Sequence, residues 1–108
     1  MNDLDGAMEA YIDSIPILEN ILGKDNLFIT DTYNNVGGIL WWMRRFDDAM
    51  EIYEDVLQVK KTHLGEKHPS VCLTLAAMGS TIRASGQIYE ANKYFKAALE
   101  WSIIFLYL

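Results

Sequence analysis

The 108-residue sequence has little of several things that would point to a particular chemistry. Its one cysteine, Cys72, cannot form an internal disulfide, so we expect a reducing compartment and a cytoplasmic location. Basic residues are outnumbered, since 9 Lys and Arg against 15 Asp and Glu give a net charge of −6. Because nucleic-acid phosphates are bound by clustered positive charge, we expect no nucleic-acid partner.

Long apolar runs are also missing. The longest, the final "IIFLYL", is far shorter than the roughly 20 residues that a membrane span needs. The acidic start, "MNDLDGAMEA", lacks the basic residues and apolar run of a signal peptide. There is no glycine-rich phosphate loop and no nucleophile with a plausibly placed base. We therefore expect no membrane partner, no cofactor and no enzymatic activity.

What the sequence does contain is an internal repeat of 42 residues. The segment "DGAMEAYID" at 5–13 falls on "DDAMEIYED" at 47–55, with six identities in nine positions. The pair "LG" recurs at 22–23 and 64–65, and a third copy, "YEANKYFKAALE", starts at Tyr89. A fixed period in this range is typical of a stacked repeat array.

Each unit is predicted to form two helices, because apolar residues recur at three- and four-residue steps. The clearest stripe consists of Ala49, Ile52, Tyr53, Val56, Leu57 and Leu64. Pro16 lies inside the first copy of this stripe, which predicts a kink, or a helix restarting at Pro16 with Ser14 as its cap. The predicted fold class is all-α, a superhelical array of antiparallel helix pairs with about two and a half repeats.

We expect a single domain over 1–108. Its predicted units are about 5–28 (a second helix only), 29–66 and 69–106, with an atypical end at 101–108. Such arrays usually need about three or more repeats, and the terminal "FLYL" presents an apolar surface. These features favour a piece of a longer array, a partner-dependent module or a homo-oligomer.

The segment "TYNNVGGILWWMRRFDDAMEIYEDVLQVKKTHLGEKHPSV" resembles a tetratricopeptide repeat of the 42-residue type found in kinesin light chains. The resemblance covers about residues 5–100. Its matching positions in the middle unit are Asn34, Asn35, Val36, Gly37, Phe46, Ala49, Tyr53, Leu57, Leu64, Gly65, His68 and Pro69. The chain departs from the pattern at Asn26 and Leu27, which replace His-Pro, and at Ala76 and Ala77, which replace the two asparagines.

The segment around both histidines, "HLGEKHPSV", allows two interpretations. With Cys72 it could supply metal ligands, but a structural zinc site needs about four and usually several cysteines. The repeat offers a structural interpretation, in which Gly65 ends one helix and Pro69 occupies the first turn of the next. We favour the structural turn and expect no metal.

The resemblance implies that the first helices of successive units line a concave groove, where an asparagine commonly holds an extended peptide. The predicted groove residues are Asp31, Asn34, Asn35, Gly38, Trp41, Trp42, Ala77 and Arg83. A purely structural asparagine remains an alternative for Asn35, because its counterpart is Ala77. Adjacent helical residues point about 100° apart, so one of Trp41 and Trp42 should pack inward while the other is exposed.

The predicted function is that of an adaptor or scaffold, which binds an extended segment of a protein or peptide partner in this groove. The alternatives are a purely structural spacer or oligomerisation repeat, and a piece of a longer repeat protein with no binding of its own. Membership of a repeat class does not by itself identify a ligand.

Overall fold

A computed structural model describes residues 3–107 of the chain, with side chains described for residues 4–103. Over this range the protein consists of five α-helices and no strand. They are α1 (Asp3–Leu22), α2 (Leu27–Trp42), α3 (Phe46–Leu64), α4 (Pro69–Ala84) and α5 (Ile88–Tyr107). Each helix packs against the next in chain order, so the fold is the all-α array of helix pairs that the sequence predicts.

The helix boundaries repeat with the same 42-residue spacing as the sequence. Helices α2 and α4 begin at Leu27 and Pro69, and both are 16 residues long. Helices α3 and α5 begin at Phe46 and Ile88, again 42 positions apart. Because sequence and structure share one period, residues 42 apart can be compared as equivalents. The division of the chain into the three predicted units remains a prediction.

We call α2 and α4, the first helix of each helix pair, the first-type helices. Equivalent residues cap their starts in the same way, although the side chains differ. The Oδ1 atom of Asn26 accepts a hydrogen bond from Phe28 N at 2.8 Å. At the equivalent position His68 Nδ1 accepts from Ser70 N at 3.1 Å. Both side chains satisfy an amide that the first helical turn leaves unpaired. The change from His-Pro to Asn-Leu therefore preserves the cap.

A glycine in each first-type helix lets an aromatic ring of the second helix approach its backbone. A Cβ atom added at Gly37 would lie 2.7 Å from Tyr53 Cε1. One added at the equivalent Gly79 would lie 3.0 Å from Phe95 Cε1. Tyr53 is only 5% exposed and belongs to the main apolar core, so its ring has little room to move. In both helix pairs, α2 with α3 and α4 with α5, an aromatic ring of the second helix therefore packs against a glycine of the first.

Helix α1 corrects one of the two expectations for Pro16. It runs without interruption from Asp3 to Leu22 with Pro16 inside it, so no second helix starts at the proline. Ser14 is not a cap, because its hydroxyl donates to the carbonyl oxygen of Tyr11 at 3.2 Å. The terminal segment "FLYL", predicted to present an apolar surface, comprises residues 105–108. Their side chains lie outside the described part of the chain.

Candidate functional site

One face of α2 is left uncovered by the rest of the described fold. Asp31, Asn35, Gly38 and Trp42 follow one another at steps of three and four residues, so they share this face. Asp31 and Asn35 are exposed, Gly38 is half-buried, and Trp42 has 68% of its surface accessible. We call these four residues the α2 outer face. It presents an amide, a carboxylate and a large aromatic surface along a rigid helix.

Two of the predicted groove residues turn away from the α2 outer face. Asn34 and Trp41 are half-buried, and each has a buried polar atom, Asn34 Oδ1 and Trp41 Nε1. Neither atom has a hydrogen-bond partner among the described residues. The two residues are seven positions apart and lie on one side of the helix. A ligand resting on the outer face would contact Asn35 and Trp42 instead.

The two adjacent tryptophans divide as the 100° step predicts. Trp41 packs inward, and its ring meets Phe46 at the start of α3 with a centroid distance of 6.4 Å. Trp42 stands edge-on to Trp41, with ring centroids 5.0 Å apart and an interplanar angle of 82°. Edge-to-face pairs of this kind are favourable beyond the area they bury. The inner ring therefore supports the exposed one and restricts its motion.

Helix α4 offers a different surface at the equivalent positions. Leu73, the counterpart of Asp31, is 72% exposed, and Ala77, the counterpart of Asn35, is half-buried. Arg83 is exposed, but its guanidinium carbon lies 5.6 Å from the centroid of the Phe95 ring on α5. This cation–π contact directs Arg83 toward the second helix of its own unit. The α4 side thus contributes apolar contact and little charge.

Both histidines bind main-chain atoms of neighbouring turns. His63 Nε2 lies 2.8 Å from the carbonyl oxygen of Asp25, in the loop before α2, and donates to it. His68 caps α4 through Nδ1. Gly65 ends α3 with a φ of 89°, and Pro69 opens α4. Within residues 3–107 no three His, Cys, Asp or Glu side chains are grouped to hold a metal. Residues 63–71 therefore form the end of α3, the turn and the start of α4.

Lys60 on α3 is a buried charge that was not among the residues predicted from the sequence. Its side chain is only 6% exposed, and Nζ donates to Thr74 Oγ1 on α4 at 3.3 Å. Burial lowers the pKa of Lys60 below its usual 10.5, because the charged form loses hydration, while the nearby Asp31 carboxylate partly raises it. One signal was available: Lys60 continues the stripe of Tyr53 and Val56 at a four-residue step.

These observations define the class: an all-α array in which helix pairs recur every 42 residues. Residues 29–70 match the tetratricopeptide repeat family. The protein named KINESIN LIGHT CHAIN-RELATED 1 of Arabidopsis thaliana is 31% identical over 65 residues, which are 60% of this chain and 11% of that protein. Residues 29–70 are thus similar to a tetratricopeptide repeat, and the wider chain is similar to a kinesin light chain-related protein.

A second relative is a Secreted RxLR effector protein, RXLR-C07, of Plasmopara halstedii. It is 25% identical over 80 residues, which are 74% of this chain and 22% of that protein. The chain thus spans less than a quarter of either relative. Tetratricopeptide repeats are a non-catalytic family that generally mediates protein–protein interaction. No helix within residues 3–107 is long and apolar enough to cross a membrane.

Proposed function

We propose that this chain is a protein–protein interaction module that binds an extended peptide segment across the outer faces of α2 and α4. The observation that carries the proposal is Trp42, a 68% exposed ring held by Trp41 and placed one helical turn from Gly38. Exposed aromatic anchors with restricted motion are the residues that contribute most to binding at protein interfaces. We place this adaptor or scaffold in the cytoplasm, on the basis of its single cysteine.

Asn35 supplies the polar part of the proposed contact. It is exposed on the α2 outer face, seven residues from Trp42 and therefore on the same side of the helix. Its amide can donate and accept at once, which suits the alternating N–H and C=O groups of an extended peptide. Phe28 and Leu73, 78% and 72% exposed, add apolar surface at the start of each first-type helix.

A peptide library displayed on phage, selected against the chain, would supply a ligand for measurement by calorimetry. Trp42→Ala should weaken the selected peptide about tenfold or more, and Asn35→Ala should weaken it severalfold. Circular dichroism should show unchanged helicity, because both side chains are exposed. The matched control is Tyr89→Ala on α5, which removes an aromatic side chain that is 84% exposed and lies outside the proposed face. Unchanged affinity in the Asn35→Ala and Trp42→Ala variants would refute the groove assignment.

The second candidate function is oligomerisation. It is favoured by Ile17 and Ile21 on α1, which are four residues apart, 62% and 71% exposed, and form an apolar side of the first helix. Static light scattering at high micromolar concentration tests it, with Ile17→Lys as the variant that should dissociate an oligomer. A well-folded monomer under these conditions would count against this role and leave the peptide-binding proposal in place.

A further inference from the structure

A pocket of about 300 Å³ lies where the start of α2, the end of α3 and the start of α4 meet. Its apolar wall is formed by Leu27, Phe28 and Leu64. Its polar lining includes Lys60 and His68. A volume at the small end of the range for ligand pockets suits a ligand the size of one amino-acid side chain.

The charge in this pocket is only partly compensated. Lys60 Nζ carries three protons, and its described hydrogen bond is the 3.3 Å contact to Thr74 Oγ1. Thr74 is itself engaged, since its hydroxyl donates to the carbonyl oxygen of Ser70 at 3.2 Å. A buried ammonium with one neutral acceptor retains much of its desolvation cost. An anion that entered the pocket would recover part of that cost.

The start of α4 adds further positive potential. Ser70, in the first turn of this helix, lines the pocket, and the helix dipole favours negative charge near this end of α4. Two features from two helices thus favour an anion here: the ammonium on α3 and the start of α4.

Asp31 is the one carboxylate that lines the pocket. It is exposed, and its charge acts on Lys60 through space. An incoming anion would therefore be repelled by Asp31 while it is attracted by Lys60. The lysine is peculiar to this unit, because the equivalent positions hold Leu18 and Ser102. The repeat fold does not require it.

We infer that this pocket binds a carboxylate that bears a short branched apolar group, with the carboxylate on Lys60 and the apolar group against Leu27, Phe28 and Leu64. Two sources share this chemistry: a free branched-chain acid and the C-terminal residue of a peptide that ends in leucine. The site lies beside the proposed peptide-binding face and shares Asp31 and Phe28 with it. Its test does not depend on the result for Asn35 or Trp42.

Calorimetry with four probes tests the ligand class and separates its sources. The probes are 4-methylpentanoate, its amide, a tetrapeptide ending in leucine with a free carboxylate, and the same tetrapeptide amidated. Binding of both free carboxylates but neither amide would support the inference and leave both sources open to the site. Binding of the free acid alone, or of the free-carboxylate peptide alone, would support it and identify the source.

Three variants test the assigned positions. Lys60→Met keeps the length and apolar stem of the side chain, and should weaken the carboxylate probe roughly tenfold or more. Lys61→Met is the matched control, because Lys61 is its neighbour on α3 and does not line the pocket; its affinity should equal that of the unmodified chain. Asp31→Asn removes the repelling charge and should tighten binding severalfold.

Several results would overturn the inference. They are binding of the amides as strong as that of the acids, no binding of any probe at millimolar concentration, equal affinity in Lys60→Met and the unmodified chain, or weaker binding in Asp31→Asn. Circular dichroism of each variant, measured beside the calorimetry, establishes that a lost signal reflects the pocket. If Lys60→Met failed to fold, the Asp31→Asn result would still decide the question.

Discussion

The neighbouring residues Gly37 and Gly38 in α2 differ in how much space surrounds them. Gly37 faces the ring of Tyr53, and a Cβ there would lie 2.7 Å from one ring carbon and 2.9 Å from another. Gly38 faces outward, where a Cβ would meet only the Tyr53 hydroxyl at 3.9 Å, an ordinary contact. Alanine is favoured over glycine in a helix by about 1 kcal/mol, so each substitution starts with a gain. Only at Gly37 is that gain opposed by a steric clash.

We predict that Gly37→Ala destabilises the protein by about 1–2 kcal/mol and that Gly38→Ala stabilises it by up to about 1 kcal/mol. The physical reason is that the Tyr53 ring is packed in the core and must shift to admit the new methyl group. Urea unfolding followed by circular dichroism measures both values. Equal stability of the two variants would contradict the close approach of ring and backbone.

Single residues also show where sequence reasoning reaches its limit. Helical spacing places a side chain only to within about a quarter turn, so residues at the edge of a face can turn either way. Asn35 and Trp42, near the centre, are exposed, whereas Asn34 Oδ1 at the edge is buried. Lys60 was missed because its type indicates a solvent-exposed position, while its position in the apolar stripe indicates burial. Lys60 is buried because α4 packs against α3 at this position. The sequence pattern of α3 alone does not show where α4 packs.

At the scale of the elements, the turn between the two helices of each unit needs one residue with a positive φ. Gly86 supplies it after α4 with φ 97°, and Arg44 supplies it after α2 with φ 61°. The two are equivalent in the 42-residue register. An arginine in this region is strained by about 1–2 kcal/mol, whereas glycine is not. Arg44 recovers part of this through its guanidinium, which lies 5.3 Å from the centroid of the Phe46 ring.

We predict that Arg44→Gly stabilises the protein by about 0.5–1 kcal/mol, because the relief of backbone strain exceeds the lost cation–π contact. The reverse change, Gly86→Ala, should destabilise by about 1 kcal/mol. A Cβ at Gly86 would meet nothing within 4 Å, so that loss reports backbone conformation alone. Thermal unfolding of both variants provides the measurement. A lower melting temperature for Arg44→Gly would show that the cation–π contact dominates.

Helix α1 tolerates a proline that a helix normally excludes. Pro16 is exposed and lies in the interior of a 20-residue helix, where it removes one backbone hydrogen bond. Within the described chain α1 packs chiefly on α2, so little tertiary contact offsets the loss. The 42-residue repeat predicted this helix correctly, but the proline made a restart equally reasonable. Contacts on both sides of the proline favour a continuous helix: Tyr11 and Ile15 before it pack against the core, and Glu19 after it accepts a hydrogen bond from the Tyr33 hydroxyl on α2.

We predict that Pro16→Ala stabilises α1 by up to about 3 kcal/mol. Native-state hydrogen exchange should show slower exchange for the α1 amides and little change for those of α4. The effect should be local, because end helices of repeat arrays open separately from the rest. Equal slowing throughout the chain would mean instead that α1 unfolds together with the other helices.

At the scale of the whole molecule, Lys60 is a charged group buried in the interface between α3 and α4. Its hydrogen bond to Thr74 links the two helices. Folding lowers its pKa below 10.5, so the unfolded chain binds this proton more tightly than the folded chain. Where the unfolded state binds more protons, stability rises with pH. The contribution of Lys60 to stability should therefore increase as the pH rises from its folded pKa toward 10.5.

We predict that Lys60→Met is about 1 kcal/mol more stable than the unmodified chain near pH 7, because an apolar side chain of similar length replaces a buried charge. The difference should narrow as the pH approaches 10.5, since Lys60 is then neutral in both states. Burial also raises the pKa values of Tyr53 and Tyr94, which lowers stability at alkaline pH, but this effect is common to both proteins and cancels. Urea unfolding at several pH values measures the difference. A difference that widened with pH would show that Lys60 contributes through its charge, and that the interface between α3 and α4 holds the ammonium as an ion pair with Asp31.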